Sequence, residues 1–198
     1  MPHPRPYPEP YDAFCALPAL GDGLPEAFSV TYKTEDRFVN HKRGFVSKEH
    51  IAAANPAVAS EINALVDAYD EQYAPALKGS DNPKRNSRLD IHVVHSVTGT
   101  KWVSFLVLAR QSYARKQLSS PFTARAYDMD TGRQLVLTDV VQDTPEAWDI
   151  LSAAVREQLS AYFPNEEANV DTLNRLSSRE GLLNTPFMLT PAALTLHY

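Results

Sequence analysis

His92 and His95 are the first side chains in this sequence whose type and spacing suggest chemistry, because paired imidazoles hold transition metals. They sit in Leu89–Val97, which alternates apolar residues in the manner of a strand. Residues three apart on a strand point to opposite faces, so the two read as independent sheet histidines and no metal site is expected. Asp128-Met129-Asp130-Thr131-Gly132 begins like a calcium loop, but that loop needs its glycine sixth and a bidentate Glu twelfth. Here Gly132 is fifth and Asp139 twelfth. The segment fits a hairpin turn better, with glycine supplying a positive φ. Asp128 and Asp139 could flank each other across that hairpin, although paired carboxylates alone do not define a catalytic centre.

A basic cluster follows the most apolar run: Arg110, Arg115 and Lys116, with Tyr113 among them. These four are the candidate ligand-binding residues, suited to an anionic glycan or an acidic partner, although a solvated rim has the same composition. The chain carries no Gly-x-Ser-x-Gly elbow, P-loop, dinucleotide fingerprint or His-Glu-x-x-His motif. No catalytic residue and no cofactor are therefore assigned.

The elements that must position these residues follow from periodicity and capping. Phe28–Tyr32 alternates as a half-buried strand. Asn55-Pro56 opens a helix, with Asn as N-cap and Pro at the first helical position. Val58, Ile62, Leu65, Tyr69 and Tyr73 form its apolar stripe, with Glu61, Asp67, Asp70 and Glu71 largely elsewhere on its surface. After a polar loop from Gly79 to Asn86, Leu89–Val97 and Lys101–Ala109 make a hairpin through Thr98-Gly99-Thr100. The second of these strands is apolar on both faces, as in the middle of a covered sheet. Phe122–Met129 returns through Asp130-Thr131-Gly132 into Gln134–Leu137. Thr144-Pro145-Glu146 starts a second helix that buries Trp148, Leu151, Val155, Leu159 and Tyr162. A shorter helix over Val170–Ser177 ends before Gly181. Phe187–Leu189 and Leu194–Tyr198 close the chain around a Thr190-Pro191-Ala192 turn. The fold class expected is α+β: an antiparallel sheet of hairpins with two main helices packed on one face.

Composition bounds the rest. The 198 residues are 43% hydrophobic and 22% charged, ordinary for a folded domain. With 19 basic and 24 acidic residues the net charge is −5 and no basic stripe is visible, which argues against nucleic-acid binding. No apolar run approaches the length of a membrane span. The one cysteine, Cys15, excludes an internal disulfide framework and a Cys-rich zinc site. Residues 1–26 read as a Pro-rich arm and 27–198 as the folded module, with possible subregions at 27–86 and 87–198. The module looks truncated, because its last apolar strand runs into Tyr198.

Two stretches resemble a known family. Tyr127-Asp128-Met129-Asp130-Thr131-Gly132-Arg133-Gln134-Leu135-Val136-Leu137-Thr138-Asp139-Val140-Val141 is similar to its "N-x-D-x-x-T-G-K-x-L-T-L-x-D-L-F" pattern. Phe187-Met188-Leu189-Thr190 through Leu194-Thr195-Leu196-His197-Tyr198 resembles its close. Ile62-Asn63 followed by Val66 resembles its preceding helix. The family is the ectodomain module of the RsiV anti-sigma factor, also found ahead of the catalytic domain in PdaC-type peptidoglycan deacetylases. The resemblance implies a non-catalytic binding or sensing module outside the cytoplasmic membrane, tethered at a bacterial cell surface by a segment not present here. Its partner would be lysozyme, another secreted protein or cell-wall glycan. The alternative is an accessory module of a polysaccharide deacetylase whose catalytic domain lies outside this chain. An independent enzyme built on Asp128, Asp139, His92 or His95 is the least favoured reading. The family's Gly-Ala-His segment is replaced by Tyr113-Ala114-Arg115-Lys116-Gln117, so a ligand surface depending on that loop is not carried over.

Overall fold

A computed structural model describes residues 29–39, 44–77, 87–113, 116–163 and 166–198. The Pro-rich arm, Cys15, Phe28, the polar loop of 79–86 and Arg115 lie outside the described residues. In chain order the elements are β1 (Val30–Val39), β2 (Gly44–Ala53), α1 (Pro56–Tyr73), β3 (Ser87–Thr98), β4 (Trp102–Tyr113), β5 (Lys116–Ser119) and β6 (Phe122–Asp128). Then follow α2 (Pro145–Ser160), α3 (Glu166–Ser177), α4 (Arg179–Leu183), β7 (Phe187–Leu189) and β8 (Leu194–Leu196). The fold is α+β. A six-stranded, mostly antiparallel sheet runs β1-β2-β3-β4-β5 with β6 paired to β4, and β7 and β8 form a separate two-stranded sheet.

Two compact units divide the chain. The first comprises Met1–Val94 with Val107–Pro121, the second His95–Leu106 with Phe122–Tyr198.

In the first unit, β1 and β2 pair antiparallel over their whole length, from Val30↔Ala53 to Val39↔Gly44. Strand β2 was not foreseen, and its other neighbour corrects the expectation of purely antiparallel pairing. β2 runs parallel to β3, with Val46 opposite Leu89 and Lys48 opposite Ile91. The connection between them passes through α1, as parallel strands require a crossover. Asn55 caps α1 as anticipated, its side chain accepting from the Ala57 and Val58 N–H groups at 3.1 and 3.3 Å. The buried stripe of α1 is Val58, Ala59, Ile62, Val66 and Asp70 rather than the set ending in Leu65, Tyr69 and Tyr73. Val58, Ile62 and Val66 are fully buried and α1 packs on β2. Burying a branched aliphatic chain of this kind stabilises by about 1.5–3 kcal/mol.

The paired backbone of β2 and β3 extends as far as Lys48↔Ile91. Beyond it, two side chains hold strand backbone. Glu49 Oε2 accepts from the Val93 N–H at 3.0 Å. The Asn63 amide, on α1, accepts from the Ile51 N–H at 2.8 Å and donates to the Ile51 carbonyl at 2.9 Å.

In the second unit, Gly99 and Gly132 both take positive φ, at 63° and 72°, inside the two turns expected of them. The strand forecast for Gln134–Leu137 reduces to a single bridge, Tyr127↔Gln134, followed by a 3-10 turn at Leu137–Asp139. Leu135 and Leu137 are still buried and Val136 exposed. The alternation was right although the ladder stops early. The Asp139 carboxylate accepts from the Val136 N–H at 2.8 Å, which turns the chain. Thr144 caps α2, accepting from the Ala147 N–H at 3.3 Å. Trp148, Val155, Leu159, Leu173, Leu182 and Phe187 belong to one buried cluster, with Trp102 and Leu151 packed against it. Tyr162, forecast on the same stripe, lies past the end of α2 and is exposed. α3 ends at Ser177, before Gly181 as expected, and Gly181 sits inside the short α4 that follows. Ser104 of β4 accepts from the Leu189 N–H at 2.9 Å, fixing β7.

Candidate functional site

The basic cluster singled out from sequence falls on the β4–β5 hairpin. β4 is buried from Val103 to Ala109 and emerges through Arg110, half-buried, to Tyr113, exposed. Across the hairpin Tyr113 stands opposite Lys116 and Ser112 opposite Gln117, but Gln111 stands opposite Ser119. Leu118 is therefore the extra residue of a β-bulge, which leaves it unpaired and re-aims its side chain. Leu118 is 62% exposed, unusual for leucine in a strand. A hydrogen bond from Ser119 Oγ to Gln111 Oε1, 2.8 Å, holds the two strands together beside it.

Beside this bulge lies a hollow of about 400 Å³, lined by Ala76, Leu77, Ser87, Gln111, Ser112, Tyr113 and Leu118. Tyr113 is the sequence-predicted residue that lines it, and Lys116 is its exposed cross-strand neighbour. Arg110 lies farther back on β4, and Arg115 is outside the described residues. The lining combines aliphatic and aromatic carbon with two serine hydroxyls, the Tyr113 phenol and an amide. That combination suits an apolar side chain or ring with a polar rim; it offers no acid, imidazole or thiol for bond-making.

A group of charges missed from sequence clusters under α1. Asp70 is 5% exposed, and its carboxylate receives Arg37 and, at 3.3 Å, Lys48. Asp67 receives Lys48 at 2.7 Å and His50 at 3.0 Å. Burial works against the Lys48 ammonium, yet its hydrogen bonds to Asp67 and Asp70 outweigh that and hold its pKa above the ordinary value. Burial likewise opposes Asp67, but the bonds from Lys48 and His50 bring it below the carboxylate range. The cluster is a tie between α1 and β1–β2, each carboxylate being met by a lysine or an arginine.

The remaining candidates separate. His92 faces Glu49, with Nδ1 3.3 Å from Oε1. His95 lies against Phe105, ring centroids 6.2 Å apart, where burial lowers its pKa. His197 is packed on Phe122 at 5.4 Å and burial lowers it too. Asp128 Oδ1 accepts from Asp130 N, Thr131 N and Thr131 Oγ1 at 3.0–3.1 Å. The Thr131 N–H, chiefly, draws Asp128 below its ordinary pKa. Asp139 is held by both Arg133 guanidinium nitrogens at 2.9 and 3.1 Å, which lower it most. Asp128 thus shapes the turn at Asp130–Gly132, with Lys101 Nζ 3.3 Å from its Oδ2, and Asp139 the 3-10 turn that follows. Among the described residues no cluster of three potential metal ligands occurs.

No family model matches this chain, and no curated protein matches it. It is similar to the crystal structure of a DUF3298 family protein from Pseudomonas aeruginosa PAO1, at 15% identity, covering 89% of this chain and 84% of that one, with a TM-score of 0.53. A DUF3298 family member from Bacteroides fragilis aligns over 74% of both chains at 12% identity, with a TM-score of 0.37. The Pseudomonas likeness shows a DUF3298-like fold.

Proposed function

We propose that this chain is a non-catalytic binding module that works outside the cytoplasmic membrane at a bacterial cell surface, in the manner of the RsiV ectodomain. Its ligand is a secreted protein, with lysozyme the first candidate. The supporting observation is the bulge at Leu118, which sets an exposed leucine and Tyr113 around an apolar hollow of about 400 Å³. An exposed tyrosine beside a concave surface is the kind of group that anchors a protein partner, and covering the exposed leucine adds the contact energy of apolar burial. The net charge of −5 complements a basic partner and raises its encounter rate. Lys116, exposed across the strand from Tyr113, supplies a donor at one side for an acidic or carbonyl group on that partner.

The test is capture of purified lysozyme on the immobilised chain at moderate salt, beside Leu118→Asp and Tyr113→Ala variants checked for folding by circular dichroism. Capture by the wild type and a loss of at least tenfold in affinity for Leu118→Asp is the expected pattern, since hot-spot truncations of this kind cost about 2 kcal/mol. Absence of capture removes lysozyme as the partner. Co-sedimentation with purified wall sacculi instead would move the reading to glycan and towards the deacetylase-associated branch of the resemblance.

A further inference from the structure

We infer that β1 is the interface through which two copies of this chain pair, antiparallel and about a two-fold axis through Thr34. β1 is the terminal strand of the six-stranded sheet, and among the described residues its ladder partner is β2 alone. The register with β2 runs ten residues without a bulge, and the strand contains no proline. A long, regular edge presents a row of N–H and C=O groups ready to pair with another chain.

Charge selects the partner and the register. Directly opposed residues on antiparallel strands share a face, so a strand pairing with its own copy must match even positions with even and odd with odd. With Thr34 opposite the partner's Thr34, Lys33 stands opposite the partner's Glu35 and Glu35 opposite the partner's Lys33. Val30 then covers the partner's Phe38, which is 63% exposed in the single chain. Slipping the register to centre on Lys33 sets that lysine against itself; centring on Glu35 sets two glutamates together and Lys33 against the partner's Arg37. The neighbouring registers are thus penalised and this one is rewarded.

The same register continues the sheet's own charge pattern. Arg37 reaches Asp70 on α1, so the odd-numbered residues of β1 face that helix. On this face Lys48 lies beside Glu35 and His50 beside Lys33. Lys33 already bonds Glu35 of its own strand at 2.9 Å, with 77% and 43% of the two side chains exposed. In the pair, each lysine lies between two glutamates and each glutamate between two lysines. Charges on an edge usually discourage association; here their alternation favours one partner, an identical strand.

Sedimentation of the full chain from low to high micromolar concentration provides the affinity. Lys33→Glu and Glu35→Lys should each weaken the dimer by roughly tenfold or more, because each replaces two attractive cross-strand pairs with two repulsive ones. The double variant Lys33→Glu/Glu35→Lys should recover the wild-type affinity. Thr34→Cys in a Cys15→Ser background should form a disulfide-linked dimer on mild oxidation, whereas Ala153→Cys on the exposed side of α2 should not. A chain that stays monomeric, a double variant no better than the singles, or equal cross-linking at both positions would each overturn the pairing.

Discussion

Replacing Asn63 tests how the first unit holds together where its parallel strands lose their mutual ladder. In a strand the N–H and C=O of one residue point to the same side, and for Ile51 both are met by the Asn63 amide at 2.8 and 2.9 Å. Ile51 is 5% exposed, although it and Asn63 line an open hollow of about 580 Å³. Asn63→Ala removes two hydrogen bonds, each worth about 0.5–1.5 kcal/mol net, and leaves a donor and an acceptor facing that hollow. Asn63 itself is half-buried, so partial hydration of the vacated site offsets some of that penalty. A loss of about 2 kcal/mol is expected, equivalent to a fall in Tm of roughly 4–8 °C for a chain of this size. Asn63→Asp is the sharper variant. Its carboxylate still accepts from the Ile51 N–H but sets a second oxygen against the Ile51 carbonyl, and it adds a like charge four residues from Asp67. Urea unfolding followed by circular dichroism measures the loss, and hydrogen exchange of the Ile51 amide reports the local opening. If Asn63→Ala stays within about 0.5 kcal/mol of wild type, or Asn63→Asp matches it, the amide is not carrying the strand edge.

Acidification should destabilise the chain in two stages. His95 and His197 have folded pKa values lowered by burial, so their contribution is complete above the unfolded value of about 6.5 and is lost as pH falls. Asp67, Asp128, Asp139 and Asp143 are also lowered, and their contribution is lost below the ordinary carboxylate range. Thermal melts from pH 8 to pH 3, as a rough span covering both ranges, should show the first decline flattened in His95→Gln. Gly181→Ala should cost on the order of 3 kcal/mol by urea unfolding, because its Cβ would fall 2.1 Å from the Arg175 carbonyl oxygen and 2.8 Å from that of Leu176, both rigid backbone. Leu118→Asp should leave the unfolding free energy within about 0.5 kcal/mol of wild type while weakening ligand capture, since the side chain it removes is mostly in water.

The helix caps, both glycine turns and the closing hairpin were legible because each depends on residues within a few positions of one another. Strand β2 was not. Its centre, Ser47-Lys48-Glu49-His50, is polar at every position, so no alternation shows. Those side chains become explicable once their tertiary partners are known: Lys48 and His50 turn to Asp67, Glu49 to the Val93 backbone and His92. The phase of α1 is hidden in the hydrophobic pattern for the same reason. Asp70 counts as a surface residue in any hydrophobic pattern, yet it is buried by the pairing of its charge with Arg37 and Lys48. At the candidate site, composition located the cluster carrying Tyr113 and Lys116 but neither strand β5 nor the bulge. The register of Gln111 with Ser119 depends on strand pairing, and no single residue type announces it.

The extra residue at position 118 also affects how this hairpin tolerates change. A ladder in strict register couples every side chain to every other: one added or deleted residue would swap the inward and outward sets along the rest of the strand. Here the surplus has already been absorbed between Gln111 and Ser112. The pairs nearer the tip, Ser112 with Gln117 and Tyr113 with Lys116, thus run one residue out of step with the pair of Gln111 and Ser119. Recharging Lys116 or Gln117 should therefore leave the pair of Gln111 and Ser119, and the sheet beneath it, in place.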